Sequence, residues 1–181
     1  MNVLNLYFSA TGNTEKVALR IEKTVQELGH EVRTAKITSK DLDLDIIQYD
    51  FVFIGSGVYG QLAGKPLMEL FKALLQKYVK DGEIKPAAPK RSSANVVVYC
   101  TYGGVHTGIN EAIPAVKYMG QLFDHLGYTI LGEWYVIGEY IPEGYRSHST
   151  GGRLGDIRGR PNEEDLRDVA EKVKGMLRSL D

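Results

Sequence analysis

Cysteine is almost absent from this 181-residue chain; Cys100 stands alone. A single thiol excludes an internal disulfide, a CxxC redox pair and a cysteine-ligated iron–sulfur cluster. If the protein handles electrons, they rest on something other than its own sulfur. An excess of charge of one sign is missing too, since 22 Lys and Arg face 23 Asp and Glu for a net charge of −1. No overall field draws the chain to nucleic acid or to an anionic membrane, and neither is expected as a partner. No stretch approaches the ~18 consecutive apolar residues of a membrane span. No basic leader or cleavage site precedes the apolar stretch Val3 to Phe8, so the expected location is cytoplasmic. Repeats and low-complexity tracts are lacking as well. What is present is a 43 % hydrophobic composition, enough for a real core, in a length that suits one α/β domain over residues 1–181.

Two periodicities alternate along the chain. Val3 to Phe8 reads as a strand. Val17, Ala18, Ile21, Val25 and Leu28 then share one helical face, which Gly29 ends. Glu31 to Ile37 reads as a second strand. Thr38 to Gln48 is acidic and irregular, with room for one helical turn. Phe51 to Ile54 is a continuous apolar run, as in a strand buried on both faces. A helix follows Pro66, with Leu67, Leu70, Phe71, Leu74 and Leu75 on one side. Lys80 to Ser93 reads as a surface connection, and Asn95 to Cys100 as another buried strand. Ile109 to Leu126 reads as a helix that tolerates Pro114 near its first turn. Tyr128 to Ile137 is the last strand, and Glu139 to Asn162 a long loop. In the final helix Leu166, Val169, Ala170, Val173, Met176 and Leu177 point inward. Asn162 and the acids after it mark the start of that helix. Strands alternating with helices imply a doubly wound, five-stranded parallel sheet covered on both faces. The spacing fits strand order 2-1-3-4-5, whose ligand crevice lies at the C-terminal ends of strands one and three. The loops after Phe8, Ile54 and Cys100 should therefore carry function.

The first of these is Ser9-Ala10-Thr11-Gly12-Asn13-Thr14. An ordinary strand-to-helix loop needs one capping residue, and this one offers four candidates. Backbone N–H groups at a helix start, with the positive end of its dipole, attract an anion. Ser9, Thr11, Asn13 and Thr14 add hydroxyl and amide donors, and Gly12 allows close backbone approach. The loop has no Lys or Arg. It has neither GxxxxGK[ST] nor GxGxxG spacing. A monophosphate held by neutral donors is the best match.

With its strand before and helix after, Tyr7-Phe8-Ser9-Ala10-Thr11-Gly12-Asn13-Thr14-Glu15 resembles the FMN phosphate-binding signature of the flavodoxin family. The second loop, Gly55 to Pro66, is similar to the family's first flavin-ring loop. The resemblance assigns Gly57, Val58, Tyr59 and Gly60 to ring contact. The third loop, Thr101 to Gly108, is similar to the family's loop at the pyrimidine edge of the ring, with Thr101, Tyr102, Gly103 and Gly104 as candidates. Tyr102 is placed to cover the second flavin face. His106, the single histidine of the three loops, is a candidate for a flavin hydrogen bond or a proton shuttle, with an idle surface histidine as the equal alternative. Cys100, at the end of a buried strand, reads as a small hydrophobe.

The resemblance spans nearly the whole chain and implies the short type of flavodoxin, because no long insertion splits the last strand. It implies an FMN flavoprotein that shuttles electrons between redox protein partners. A close alternative is an FMN-dependent oxidoreductase that takes hydride from NAD(P)H and reduces a quinone or another small acceptor. A flavin-free binding module on the same fold is the third reading. No nucleophile–base pair or metal site is evident, so catalysis, if any, belongs to the cofactor. The chain departs from strongly acidic electron shuttles in its near-neutral charge and in a second loop without carboxylates. The expected consequence is a less extreme potential for the reduced flavin. The loop from Tyr145 to Pro161 carries Arg146, Arg153, Arg158 and Arg160 against one acid, Asp156. It is read either as a solvated loop or as a presenter of arginines to an anionic substrate, a nicotinamide phosphate or a protein partner.

Overall fold

The computed structural model describes residues 1–39 and 44–180. Its strands are β1 (Asn2–Phe8), β2 (Glu31–Lys36), β3 (Phe51–Tyr59), β4 (Leu62–Ala63), β5 (Asn95–Tyr102) and β6 (Thr129–Ile137). Its α-helices are α1 (Asn13–Glu27), α2 (Lys65–Lys80), α3 (Ile113–His125), α4 (His148–Gly151) and α5 (Glu163–Arg178). Five strands pair in parallel in the order β2-β1-β3-β5-β6, and the two-residue β4 pairs antiparallel with the end of β3. Counted over the parallel strands alone, this is the expected 2-1-3-4-5 order.

Successive strand residues point to opposite faces, and the three central strands sort their side chains accordingly. Leu4, Leu6, Val52, Ile54, Val96 and Val98 join the apolar layer under α2 and α3. Val3, Tyr7, Phe51, Phe53, Val97 and Tyr99 join the layer under α1 and α5. Both faces are dry, which is why these strands read as apolar runs without alternation. One polar chain crosses the second layer. Tyr99 Oη donates to Asn5 Oδ1 at 3.1 Å, and Asn5 Nδ2 donates to the Ala18 carbonyl at 2.8 Å. Asn5 and Tyr99 are fully buried, so each bond satisfies a group that would otherwise lie stranded.

Several boundaries differ from the expected ones. β3 continues through Gly55, Ser56 and Gly57 to Tyr59, in register with β1 (Phe8 opposite Ser56) and β5 (Gly57 opposite Thr101). A tight turn at Gly60 and Gln61 then leads into β4. β5 likewise runs on to Tyr102. The expected helix from Ile109 is two pieces, a 3-10 turn over Gly108–Glu111 and then α3, with Pro114 in its first turn. The turn anticipated between Thr38 and Gln48 lies at Ile46–Gln48, and residues 40–43 fall outside the described residues. α5 starts as anticipated, with Asn162 Oδ1 accepting from the amides of Glu164 and Asp165 and Asp165 Oδ2 accepting from the Asn162 amide. The long loop after β6 is ordered by a 3-10 turn (Glu143–Tyr145), by α4 and by buried Ile157. Among the described residues no helix is long and apolar enough to cross a membrane.

Candidate functional site

β2 and β3 flank β1 on opposite sides, and the connections after β1 and β3 leave toward opposite faces of the sheet. A crevice must open where they part, at the C-terminal edge. It is there, with a volume of about 380 Å³. Thr11 and Asn13 line it from the first loop; Gly57, Val58, Tyr59 and Gly60 from the second; Thr101, Tyr102 and Gly103 from the third. A fourth wall comes from the segment after β6, through Gly138, Glu139, Tyr140, Ile141, Pro142 and Tyr145.

The start of α1 leaves its first-turn amides without a side-chain cap. Gly12 precedes the helix with φ of 93°, a left-handed conformation that side chains resist, and no side chain caps the helix. The Lys16 amide makes the first intrahelical bond, to the Gly12 carbonyl at 3.0 Å. The first-turn amides ahead of it have no carbonyl four residues back within the helix. Ser9 Oγ accepts from the Gly12 amide at 3.1 Å, so its hydrogen stays free to donate. Thr14 is used differently. It is buried, and its hydroxyl meets that of Thr101 at 2.7 Å, tying the first loop to the end of β5. Asn13 is only 6 % exposed. Its Nδ2 donates to the Glu139 carbonyl at 2.8 Å, while its buried Oδ1 has no partner. A buried acceptor without a donor is costly, and this one lies in a crevice-lining residue.

Glycines and tyrosines make the rest of the lining flat. A Cβ on Gly57 would stand 2.7 Å from the Tyr59 hydroxyl, and one on Gly103 would stand 2.1 Å from the Tyr140 ring. Both tyrosines thus lie directly over bare backbone. Tyr59 packs edge-on against Phe8 at 5.8 Å, and its hydroxyl accepts from the Ala10 amide at 3.3 Å, bridging the first two loops. Tyr102 lines the crevice but is 8 % exposed and belongs mainly to the core. Burial raises the pKa of the Tyr59, Tyr102 and Tyr140 phenols, so all three stay protonated near neutrality.

Six anticipated residues do not line the crevice: Ser9, Ala10, Gly12, Thr14, Gly104 and His106. Ser9, Gly12 and Thr14 frame the helix start, and Ala10 is exposed on the loop. Gly104 adopts φ of 53° and its Cα faces the Gly108 backbone so closely that a Cβ would come within 2.7 Å. This turn leaves His106 exposed outside the crevice, where its amide and that of Thr107 each donate to Glu111 Oε1 at 2.7 Å. Cys100 is fully buried in the core, and burial pushes its thiol pKa far up. The fourth wall was not anticipated as part of the site. Its signal was topological, because every parallel strand delivers its following segment to the same edge.

Such a sheet order, with an uncapped helix start opening into an aromatic crevice at the switch point, defines a doubly wound α/β protein. A model of the flavodoxin domain matches residues 4–80. The flavodoxin of Megasphaera elsdenii is 28 % identical over 127 residues, covering 70 % of this chain and 80 % of that protein. Among solved structures, oxidised Flavodoxin 1 from Bacillus cereus aligns over 100 % of both chains with a TM-score of 0.67 at 14 % identity. Fusobacterium nucleatum flavodoxin, solved bound to flavin mononucleotide, aligns over 97 % of this chain and 98 % of its own with a TM-score of 0.59 at 14 % identity. These two share the fold. Residues 4–80 thus resemble a flavodoxin domain, and the chain is similar to a flavodoxin over most of its length.

Proposed function

We propose that the crevice binds FMN, with the whole chain acting as one flavodoxin-like domain that passes electrons between redox protein partners. The observation that carries this reading is the start of α1. It is an uncapped helix N-terminus with hydroxyl donors and no cationic side chain in the loop, next to the unpaired Asn13 Oδ1, and it opens onto a tyrosine- and glycine-lined crevice. The relative from F. nucleatum, solved with this ligand, supports the choice of FMN. Thr11, Ser9 and the amides of the first turn would hold the phosphate. Asn13 Oδ1 would accept from a ligand hydroxyl. Gly57 to Gly60 and Thr101 to Gly103, with Tyr59 and Tyr140, would bound the ring.

FMN, when bound, supplies one- and two-electron redox chemistry that no protein side chain offers. The chain's part is to grip, to orient and to set the local field. Glu139 is the one carboxylate among the described crevice residues. The negative field on a reduced ring is therefore modest, which supports a less extreme potential than in strongly acidic flavodoxins.

The test is an absorption spectrum of the purified protein, followed by titration with FMN and riboflavin. A yellow preparation, or FMN uptake that Thr11→Val weakens by about tenfold, agrees with the reading. A colourless protein that takes up neither flavin would leave the flavin-free module as its replacement. Steady oxidation of NADPH or NADH with a quinone at useful turnover would move the assignment from shuttle to reductase.

A further inference from the structure

Beside the crevice lies a second cavity, of about 290 Å³. It shares Glu139, Tyr140 and Ile141 with the crevice, and its remaining walls are Arg146, Ser149 and Arg158. Two guanidinium groups at the edge of a flavin site are not explained by the flavin, because the start of α1 meets the phosphate with neutral donors.

The arrangement is held from within. Ser149 is 1 % exposed. Its Oγ accepts from the Tyr140 amide at 2.9 Å, its own amide donates to the Arg146 carbonyl at 3.0 Å, and its carbonyl accepts from the Ile157 amide at 2.8 Å. One buried serine thus fastens both arginine-bearing segments to the crevice wall. Arg146 Nε donates to the Ile141 carbonyl at 3.3 Å, which orients the fork and leaves its two terminal nitrogens for a ligand. Arg158 is steadied by a two-pronged pair with Asp156, through Nε at 2.9 Å and a terminal nitrogen at 2.6 Å. Glu139 is the one carboxylate among the residues lining this cavity, against two guanidinium groups.

Resting on the FMN reading above, we propose that this cavity is a phosphoryl subsite that anchors a nicotinamide dinucleotide beside the flavin. A dinucleotide carries its phosphates apart from its redox ring. To lay that ring near the flavin it needs an anion anchor just outside the crevice. The free terminal nitrogens of Arg146 suit phosphoryl oxygens in geometry and charge, and Arg158, whose Nε and one terminal nitrogen are held by Asp156, has its other terminal nitrogen left to add to them.

The experiment is calorimetric titration of the FMN-loaded protein with inorganic pyrophosphate and with NADP⁺, which reads binding without turnover. Both are expected to bind, more weakly as salt rises. Arg146→Gln should weaken both by about tenfold or more, and Arg158→Gln should weaken them in the same direction. Arg153→Gln should leave both unchanged, since Arg153 is exposed on the same loop and lines neither cavity. FMN affinity should be the same in all three variants. Absence of NADP⁺ binding overturns the proposal, even if pyrophosphate binds. Equal losses from Arg153→Gln and Arg146→Gln overturn it too, because they would reveal a diffuse basic surface. If the chain takes up no FMN yet binds NADP⁺ through Arg146, the function proposed above fails while the subsite stands.

Discussion

Asn13→Asp exchanges one NH₂ for one oxygen and leaves the volume unchanged. In the wild type Nδ2 donates to the Glu139 carbonyl across 2.8 Å. In the variant two acceptors face each other across that gap, at a cost of about 1–3 kcal/mol. A carboxylate at a helix start recovers about 0.3–1 kcal/mol from the dipole. The net loss of stability is small enough for the protein to remain folded. The effect on the ligand is larger. A phosphate dianion taken to lie one helical turn, ~6 Å, from the new charge sets the size of the effect. With an effective dielectric constant of about 40, Coulomb's law gives about 3 kcal/mol of repulsion, or about a hundredfold loss of FMN affinity. Riboflavin carries no phosphate and should lose only the share that comes from displacing the fourth wall. The assay is quenching of flavin fluorescence with both ligands and both proteins, beside a thermal melt of each. If FMN and riboflavin lose affinity equally, the phosphate does not lie at this helix and the assignment of the first loop is refuted.

Gly55→Ala would set a Cβ 2.1 Å from the fully buried Tyr99 ring. Displacing that ring breaks its bond to Asn5, so a loss of about 3–5 kcal/mol is expected from overpacking plus a stranded polar pair; a denaturation midpoint close to wild type would contradict it. Glu15 accepts from Lys36 Nζ at 3.0 Å and from Tyr7 Oη at 3.0 Å, and these bonds, that of Lys36 first, hold its pKa below the ordinary 4.5. A folded-state pKa below the unfolded one adds stability that is present above about pH 4.5 and fades as pH falls through the folded value. Lys36→Met should raise the Glu15 pKa seen by NMR and flatten that acid limb. The exposed pair is worth only about a few tenths of a kcal/mol, and an unmoved Glu15 titration would show the contact is not formed. Cys100 is fully buried with its thiol pKa raised by burial. It should resist an aromatic disulfide reagent until the protein unfolds, and fast native-state labelling would show that strand β5 opens locally.

The strand order was legible because it follows from alternation alone. Apolar runs such as Phe51 to Ile54 and Asn95 to Cys100 separate amphipathic helices, and right-handed crossovers leave few ways to arrange them. The ends of those strands were not legible. Gly55-Ser56-Gly57 has the composition of a loop, yet it pairs on both sides with β1 and β5. The room its missing side chains leave is filled by Tyr99, distant in sequence, and by Tyr59. Glycine here serves a close packing partner, and no local pattern announces that partner. The same limit explains the site. The expectation that the first loop cradles a phosphate rests on local chemistry, and the Thr14 hydroxyl counted there proved to be committed to Thr101, 87 positions away. The wall from Gly138 to Tyr145 bears no motif and enters the crevice because β6 is parallel and ends at the same edge. Asn13 joins these two kinds of information. Its place in the loop could be read from spacing, but its bond to the Glu139 carbonyl and its unpaired Oδ1 exist only once β6 is in the sheet. A ligand that satisfies that oxygen would therefore stiffen the segment after β6 as well as the first loop. The two arginines of the neighbouring cavity hang from that same segment.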